Sequence, residues 1–482
     1  MTHVVGGKAL PPAVLQEVVR KTDGVPLFVE ELTKTVLESG LLEEQEDRYA
    51  LHGPLPPLAI PATLHDALLA RLDRLAAAKV VAQLGATIGR TFSYDVLQAV
   101  ALLDTATLQG ALAQLVEAEV VAQRGLLPQA TYTFKHALIQ DAAYQSLLRS
   151  TRQQYHQRIA QVLAERFPET AETQPEVLAR HYTAAGLHAQ ALPYWQRAGQ
   201  RALERSAYRE AVGCFEQALS ALPHLPETHD TREQAIDLRL ALRAALHPLG
   251  DFGRVLANLR EAETLAEAHD DLRRLGQVSA ALSMHFYLKG TYDQAITTAQ
   301  RALALGTTGE DVVLQELANH HLGIAYRAQG DYRRAIDCFG QNVASLDEAR
   351  RWERGQVVLP AVNSRAEIAW CHAELGAFAE GLALGEAGLR IAEEVAHSGS
   401  LMVACWGVGE LCFRQGDLPR AVSLFERAVR LCQDADLPGY FPRMAAALGA
   451  AYTLAHFPPF DSSISGGLAK DYLHCGISSV PM

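Results

Sequence analysis

The sequence predicts an all-α protein, in which a small helical domain with one β-hairpin precedes an α-solenoid of repeated helical hairpins. Three observations predict this fold class. A glycine-centred motif recurs every 40 to 46 residues in the second half of the chain, apolar residues elsewhere follow the helical period, and only two short runs have the pattern of strands. Because 49% of the 482 residues are hydrophobic, two or three domains can each bury a core.

The recurring motif is a glycine followed after two residues by an aromatic residue or leucine and after five by a small residue. The first copy consists of Gly290, Tyr292 and Ala295, and the others begin at Gly330, Gly376 and Gly416. Glycine permits a tight turn, and small residues let two helices approach closely. The motif resembles the tetratricopeptide repeat, although its spacing exceeds the usual ~34 residues and implies longer helices. With weaker copies upstream, the predicted solenoid covers residues 169–456.

Residues 61–168 predict a second domain. Leucines at helical spacing mark the first of three or four short helices, and two extended runs follow at residues 120–123 and 131–134 before another helix from about His136. Helices followed by a hairpin and a further helix are the plan of a winged-helix domain. A proline-rich linker at residues 54–60 separates it from a helical piece at residues 1–53.

The segments Thr22–Leu32 and Tyr132–Tyr144 resemble parts of the signal-transducing ATPases of the STAND class, including those fused to bacterial adenylate and guanylate cyclases. The segment Thr22–Leu32 resembles the lid of the ATPase, and Tyr132–Tyr144 resembles the end of the winged helix of that family. The resemblance implies that Gly24 and Pro26 lie against adenine and that His136 reaches the β-phosphate of ADP. Residues 1–53 would then be remnant lid helices. The plain alternatives are a helix start at Pro26 and a capping or core histidine at His136.

The chain lacks the sequence elements that ATP chemistry requires. Gly6, Gly7 and Lys8 are followed by Ala9 instead of Ser or Thr, and no useful strand precedes them. No acidic pair suited to Mg²⁺ and no region resembling a cyclase domain occur in the sequence. We therefore predict no catalytic residue and no cofactor, with ATP or ADP and Mg²⁺ expected only in a full-length parent protein. We expect the chain to be the part of such a protein that follows the ATPase core.

Charge and cysteine usage exclude several other classes. The net charge of -12 and a pI near 5.8 argue against a general binder of nucleic acid or acidic membranes, and residues 91–123 contain no Lys or Arg that could contact DNA. The seven cysteines lack Cys-x-x-Cys spacing, which favours reduced thiols in a cytoplasmic protein and predicts no metal site. The sequence has no secretion signal and no apolar run of ~18 residues, so we expect no membrane association.

The leading prediction is a non-catalytic regulatory and protein-interaction module of a signal-transduction ATPase. Its concave repeat face would receive a protein or peptide, and an ATPase core in the same or another polypeptide is a further expected partner. The alternative is a fragment of an ATP-binding adenylate or guanylate cyclase, or of a transcriptional regulator. We predict that residues 457–482 form an irregular tail in place of a regular second helix. The side chains of Phe425, Val429 and Leu431 would then remain partly exposed and promote self-association.

Overall fold

The structure is a computed structural model that describes residues 5, 7–22, 25–38, 41–51, 63–345, 358–435, 437 and 439–456. The described part of the chain is mainly helical and contains five short strands. It divides into two compact units, residues 1–226 and residues 227–482. The predicted all-α fold class is confirmed. The boundary between the units lies inside the region predicted as solenoid, and the weaker repeat copies belong to the first unit.

The first unit contains twelve α-helices and the five strands among its described residues. In chain order they are α1 (Pro12–Thr22), α2 (Pro26–Glu38), β1 (Leu42–Glu44), β2 (Tyr49–Leu51), α3 (Leu64–Arg74), α4 (Ala77–Ile88), β3 (Thr91–Ser93), α5 (Tyr94–Val100), α6 (Thr105–Glu117), β4 (Val121–Arg124), β5 (Thr131–Phe134), α7 (Ala137–Gln145), α8 (Arg149–Arg166), α9 (Pro168–Thr173), α10 (Pro175–Ala184), α11 (His188–Glu204) and α12 (Tyr208–Ala221).

The predicted β-hairpin forms between β4 and β5, and it acquires a third strand that the sequence did not indicate. Strand β3 pairs with the other edge of β5, so the sheet order is β3-β5-β4 with both pairs antiparallel. The ring of Phe92 on β3 stacks on Tyr132 at 5.8 Å between centroids and also covers Gly85, where a Cβ atom would lie 2.7 Å from the ring. Three residues are too few to show the alternation of a strand, so only tertiary pairing reveals β3.

The N-terminal piece also departs from the prediction, because residues 1–53 are not purely helical. Strands β1 and β2 form an antiparallel hairpin from Leu42 to Leu51. Lys8 binds the carboxylate of Glu44, the last residue of β1, at 2.7 Å. The predicted linker at residues 54–60 lies outside the described residues.

The second unit is a series of helical hairpins. Its helices are α13 (His229–Leu246), α14 (Phe252–Ala268), α15 (Leu272–Leu288), α16 (Tyr292–Thr308), α17 (Val312–Ala328), α18 (Tyr332–Ser345), α19 (Pro360–Leu375), α20 (Phe378–Val395), α21 (Ser398–Gln415), α22 (Leu418–Asp434) and α23 (Phe441–His456). The four glycines predicted as turns each lie between the two helices of a hairpin and have φ between 73° and 89°, a conformation that favours glycine. The predicted repeat register is therefore confirmed at these turns.

In two of the hairpins, α17–α18 and α21–α22, a glycine of the first helix lies beneath a phenylalanine of the second. A Cβ atom at Gly323 would be 2.5 Å from the ring of Phe339, and one at Gly409 would be 2.6 Å from Phe425. Both rings are almost fully buried. The odd-numbered helices α13 to α23 also pack against one another in sequence, in addition to packing against their own partners. These first helices form one layer of the second unit, which we call the first-helix layer.

The expectation that Phe425 would be partly exposed at the C-terminal end was wrong. Phe425 is 1% exposed, and Met444 and Ala451 of α23 belong to the same core as Phe425. Val429 and Leu431 also pack against that core and are only partly buried. The single helix α23 therefore covers much of the apolar face that was expected to be exposed. Residues 457–482, the predicted irregular tail, lie outside the described residues.

We expect Ala335→Leu to destabilise the second unit far more than Arg333→Ala. Ala335 is fully buried against Phe339 and Ile368, whereas Arg333, two residues earlier, is exposed. Overpacking at a close helix contact should cost ~1–3 kcal/mol, and the surface change about 0.5 kcal/mol or less. Calorimetric melting of both variants tests this prediction. Equal shifts in melting temperature would contradict the repeat register.

A pair of buried histidines should make the first unit sensitive to acid. His156 Nδ1 lies 2.8 Å from His181 Nδ1, and His156 Nε2 is 2.9 Å from the Tyr144 hydroxyl. Burial, assisted by Arg152, lowers the pKa of His156 to about 4, and burial, assisted by His156 and Arg180, lowers the pKa of His181 to about 3.

An unfolded histidine, with a pKa near 6.5, takes up its proton before either folded one does. The unfolded state therefore binds more protons as pH falls from about 6.5 towards 4, and stability must decrease over this window. As the pH falls from about 7 to about 5, we expect the free energy of unfolding of the His181→Leu variant to decrease less than that of the wild-type chain. Parallel pH dependences of the two melting temperatures would show that the histidine pair does not contribute.

Candidate interaction site

The residues predicted to contact a nucleotide are only partly described. Gly24 lies outside the described residues. Pro26 is the first residue of α2 and is exposed, and His136 directly precedes α7 with an extended backbone (φ -131°, ψ 142°), half-buried and without a capping hydrogen bond from its side chain. The pKa of Glu30 on α2 is lowered mainly by its hydrogen bond from Lys34 and to a smaller extent by His136. His136 therefore lies near the helix that Pro26 begins.

The lysines near His136 are already paired with carboxylates. Lys34 Nζ lies 2.8 Å from Glu30 Oε1 and 2.6 Å from Glu119 Oε2, and Lys135 Nζ lies 3.0 Å from Glu119 Oε1. The hydrogen bonds from Lys34 and Lys135 lower the pKa of Glu119 to about 2. A phosphate near His136 would therefore meet two carboxylates and have to compete for both lysines.

A buried ion pair fixes α2 next to these residues. The Arg71 guanidinium on α3 donates to the Glu31 carboxylate on α2 and to the carbonyl oxygen of Ala118. Both charged side chains are almost fully buried. The next residue, Glu119, has φ of 55°, an uncommon left-handed conformation for a residue other than glycine. The middle of α2 and the end of α6 are therefore held together by charge-assisted hydrogen bonds.

The second unit contains a more elaborate polar group, which the sequence did not predict. It consists of five side chains from four successive first helices, and we call it the Arg–Trp cluster: Arg327 on α17, Glu367 and Trp370 on α19, Trp406 on α21, and Arg443 on α23. On α19 the spacing of three residues puts the carboxylate and the indole on the same face of the helix. Helix packing then brings all four helices to one place.

Each guanidinium of the Arg–Trp cluster lies over an indole ring. The Arg327 guanidinium carbon is 3.8 Å from the centre of the Trp370 ring, and that of Arg443 is 3.5 Å from the centre of Trp406. The two indoles meet edge to face, with centroids 5.0 Å apart and planes at 85°. Cation–π and edge-to-face contacts of this kind hold aromatic side chains in defined orientations.

Glu367 joins the two arginines. Its Oε1 lies 3.4 Å from Arg443 Nη2, and its Oε2 lies 3.3 Å from Arg327 Nη1. The Glu367 side chain is 4% exposed and that of Arg327 is 9% exposed, whereas Arg443 is 29% exposed. Burial pushes the pKa of Glu367 upward, but the two guanidinium charges outweigh burial and the pKa is lowered. Glu367 is therefore held as a carboxylate inside the layer.

A second ion-pair group adjoins the cluster through Trp370. The Trp370 indole N–H donates to Glu374 Oε1 at 3.1 Å, and this oxygen also accepts from Arg414 Nε at 2.5 Å. Arg414 Nη1 donates to Glu410 Oε2 at 2.6 Å. Burial raises the pKa of Glu410 despite this contact with Arg414. The charged groups thus form one connected patch across α17, α19, α21 and α23.

This arrangement suits recognition of a partner. Partly exposed arginine and tryptophan side chains, held rigidly by their neighbours, are the residues that contribute most energy at protein interfaces. The described residues contain no group of three or more His, Cys, Asp or Glu side chains that could hold a metal ion. In the part of the chain that the structure describes, no helix is long and apolar enough to cross a membrane.

Comparison with known proteins gives one family match and several distant similarities. The tetratricopeptide repeat model matches residues 318–351, which include most of α17 and all of α18. An uncharacterised protein of Rhizobium meliloti (strain 1021) is 30% identical over 357 residues, covering 72% of this chain and 33% of that protein. The chain therefore spans about a third of the length of the curated relative that it matches.

Two solved structures have a distantly similar backbone. A signal transduction ATPase with numerous domains and a tetratricopeptide repeat sensor, from Pyrococcus horikoshii, is 13% identical, with a TM-score of 0.40 and coverage of 96% of this chain and 69% of that chain. Aspartyl phosphate phosphatase F from Bacillus subtilis is 13% identical, with a TM-score of 0.43 and coverage of 87% and 99%. These similarities concern the arrangement of the backbone only.

We expect the chain to show no ATPase or cyclase activity and to bind ATP or ADP only weakly. The sequence has no phosphate cradle, and both lysines near His136 are engaged by Glu30 and Glu119. Titration calorimetry with ADP and Mg²⁺ tests the prediction. A micromolar dissociation constant that His136→Ala abolishes would contradict it and would support a functional nucleotide site.

Proposed function

We propose that the chain is a non-catalytic regulatory and protein-interaction module of a cytoplasmic signal-transduction ATPase. Its first-helix layer would bind a protein or peptide at the Arg–Trp cluster. The helices of residues 1–53 and the winged-helix-like domain of residues 61–168 would act on an ATPase core in the same or another polypeptide. The alternative remains a fragment of an ATP-binding cyclase or of a transcriptional regulator.

The observation that carries the proposal is the Arg–Trp cluster itself. Removing charged side chains from water costs several kcal/mol per ion, and apolar side chains of similar volume often stabilise a fold better. A cluster with three charges inside a layer of packed helices therefore stabilises the fold less well than apolar side chains would. Its partly exposed Arg443 and Trp370 offer a guanidinium and an indole to a ligand, which is the composition of an interaction hot spot.

Two observations support the link to an ATPase. The segments that include Gly24, Pro26 and His136 resemble the lid and the end of the winged helix in STAND proteins. The buried pair of Arg71 and Glu31 connects the predicted lid helix α2 with α3 and with the end of α6. A change in the position of α2 would therefore be transmitted to the helices and sheet of the following domain.

A defined peptide library tests the interaction proposal. The full chain is panned against displayed random peptides, and the affinities of the selected peptides are measured by fluorescence polarisation. We expect Arg443→Gln to weaken these peptides at least about tenfold, because truncating a hot-spot residue costs about 2 kcal/mol or more. Arg430→Gln is the matched control, because this substitution removes the same charge from an exposed position on α22.

Circular dichroism and melting curves of both variants establish that they remain folded. Selected peptides that bind both variants as tightly as the wild-type chain would show that the Arg–Trp cluster is not the binding site. A library that yields no binding peptide would contradict peptide recognition by this layer.

A further inference from the structure

Within the Arg–Trp cluster, Arg443 is the charged side chain that reaches solvent. Its side chain is 29% exposed, whereas those of Arg327 and Glu367 are 9% and 4% exposed. Among the described residues, Glu367 alone accepts a hydrogen bond from Arg443, through Nη2 at 3.4 Å. A guanidinium carries several N–H donors in one plane, so most of the Arg443 donors remain available to a ligand.

Trp406 fixes the plane in which these donors lie. The Arg443 guanidinium carbon is 3.5 Å from the centre of the Trp406 ring, so the ring covers one face of the guanidinium. Trp406 is itself 2% exposed and meets the ring of Trp370 edge to face. A guanidinium that is covered on its face binds ligands through its edge, and that edge matches the two oxygens of a carboxylate.

The positive charge of Arg443 is less well compensated than that of Arg327. Glu367 lies between the two guanidiniums, 3.3 Å from Arg327 Nη1 and 3.4 Å from Arg443 Nη2. Burial lowers the pKa of Arg327, but the charge of Glu367 outweighs burial and the pKa is raised. For Arg443, burial outweighs Glu367 and the pKa is lowered. Two cations therefore share one carboxylate, and Arg443 lacks a full counter-charge.

The adjoining carboxylates do not supply this counter-charge. Glu374 Oε1 accepts from the Trp370 indole and from Arg414 Nε, and Glu410 Oε2 accepts from Arg414 Nη1 at 2.6 Å. Both carboxylates are therefore engaged by Arg414. Burial also raises the pKa of Glu410, which reduces the negative charge beside the cluster.

Two buried N–H groups give a second indication of a missing acceptor. Arg327 Nε and Arg327 Nη1 are shielded from solvent and have no hydrogen-bond partner among the described residues, although Glu367 Oε2 lies 3.3 Å from Nη1. Buried donors normally have partners. A ligand carboxylate on Arg443 would release Glu367 from that side chain, so that Glu367 could turn fully to Arg327.

We propose that the partner segment binds here through the side-chain carboxylate of an aspartate or glutamate, held by the edge of the Arg443 guanidinium. This inference rests on the proposed function, because it names the chemical group that the interaction module recognises. Since only 29% of the Arg443 side chain is exposed, the carboxylate has to enter a recess. A flexible side chain can do this, whereas a terminal carboxylate brings the peptide backbone with it.

A double-mutant cycle on the full chain tests the proposal. The probe is the tightest library peptide whose binding Arg443→Gln weakens, and its acidic residues are replaced one at a time by Asn or Gln. We expect one replacement to weaken binding to the wild-type chain at least about tenfold, and binding to the Arg443→Gln variant less than about twofold. The Arg430→Gln control should respond to that replacement as the wild-type chain does.

Arg443→Lys separates recognition by the edge from attraction by charge alone. Lysine keeps the positive charge but has no planar edge, so we expect the acidic peptide to bind at least about fivefold more weakly. This variant also keeps the test valid if Arg443→Gln does not fold, which circular dichroism establishes. Wild-type affinity of the Arg443→Lys variant would overturn recognition by the guanidinium edge.

Three results would overturn the inference and leave the proposed function standing. The first is a set of selected peptides that depend on Arg443 and contain no Asp or Glu. The second is equal weakening of wild type and Arg443→Gln by every acidic replacement. The third is loss of binding when the peptide C-terminus is amidated, without any side-chain effect, which would assign the carboxylate to the chain terminus. A library that yields no binding peptide would instead refute the proposed function and this inference with it.

Discussion

The close approach of the two helices in each hairpin is the constraint on which the second unit depends. A phenylalanine ring lies directly on a glycine of the preceding helix at Gly323 and Gly409, and the same contact joins Gly199 and Phe215 in the first unit. At each of these glycines a side chain would collide with the ring. Since protein interiors are close-packed, an added side chain could be accommodated only by moving the helices apart. The turn glycines also keep the two helices of a hairpin close, because they reverse the chain within a few residues.

Successive hairpins stack through their first helices and through the packing of each second helix on the next first helix, and this stacking determines which side chains become buried together. Polar residues that face the layer cannot reach water and must find partners on neighbouring helices. Glu367 does so with arginines from α17 and α23, and Arg414 does so with Glu374 on α19, while it also pairs with Glu410 on its own helix. The layer therefore contains connected charges instead of a purely apolar core. A surface of this kind is rigid, and it presents arginine and tryptophan at its accessible edge.

In the first unit, salt bridges hold neighbouring helices together. Helix α2 is attached to its neighbours through the Arg71–Glu31 pair and through Lys34, which bridges Glu30 and Glu119. The buried pair depends on both partners, because removing one leaves an uncompensated charge. The bridges at Glu119 are more exposed and correspondingly weaker. The predicted lid helix α2 is therefore held strongly at the Arg71–Glu31 pair and more weakly at Glu119.

The sequence by itself determined the helical class, the hairpin turns at Gly290, Gly330, Gly376 and Gly416, and the β-hairpin of residues 121–134, because each follows from local periodicity or from a conformation that one residue type favours. Gly24, Pro26 and His136 as nucleotide contacts remain a prediction. Only the tertiary structure decided the third strand β3, the cover that α23 gives to Phe425, and the Arg–Trp cluster. Arg327 and Arg443 reach Glu367 from helices distant in sequence, and no local pattern encodes such a meeting. It arises from the packing angle between helices, which the sum of many side-chain contacts sets.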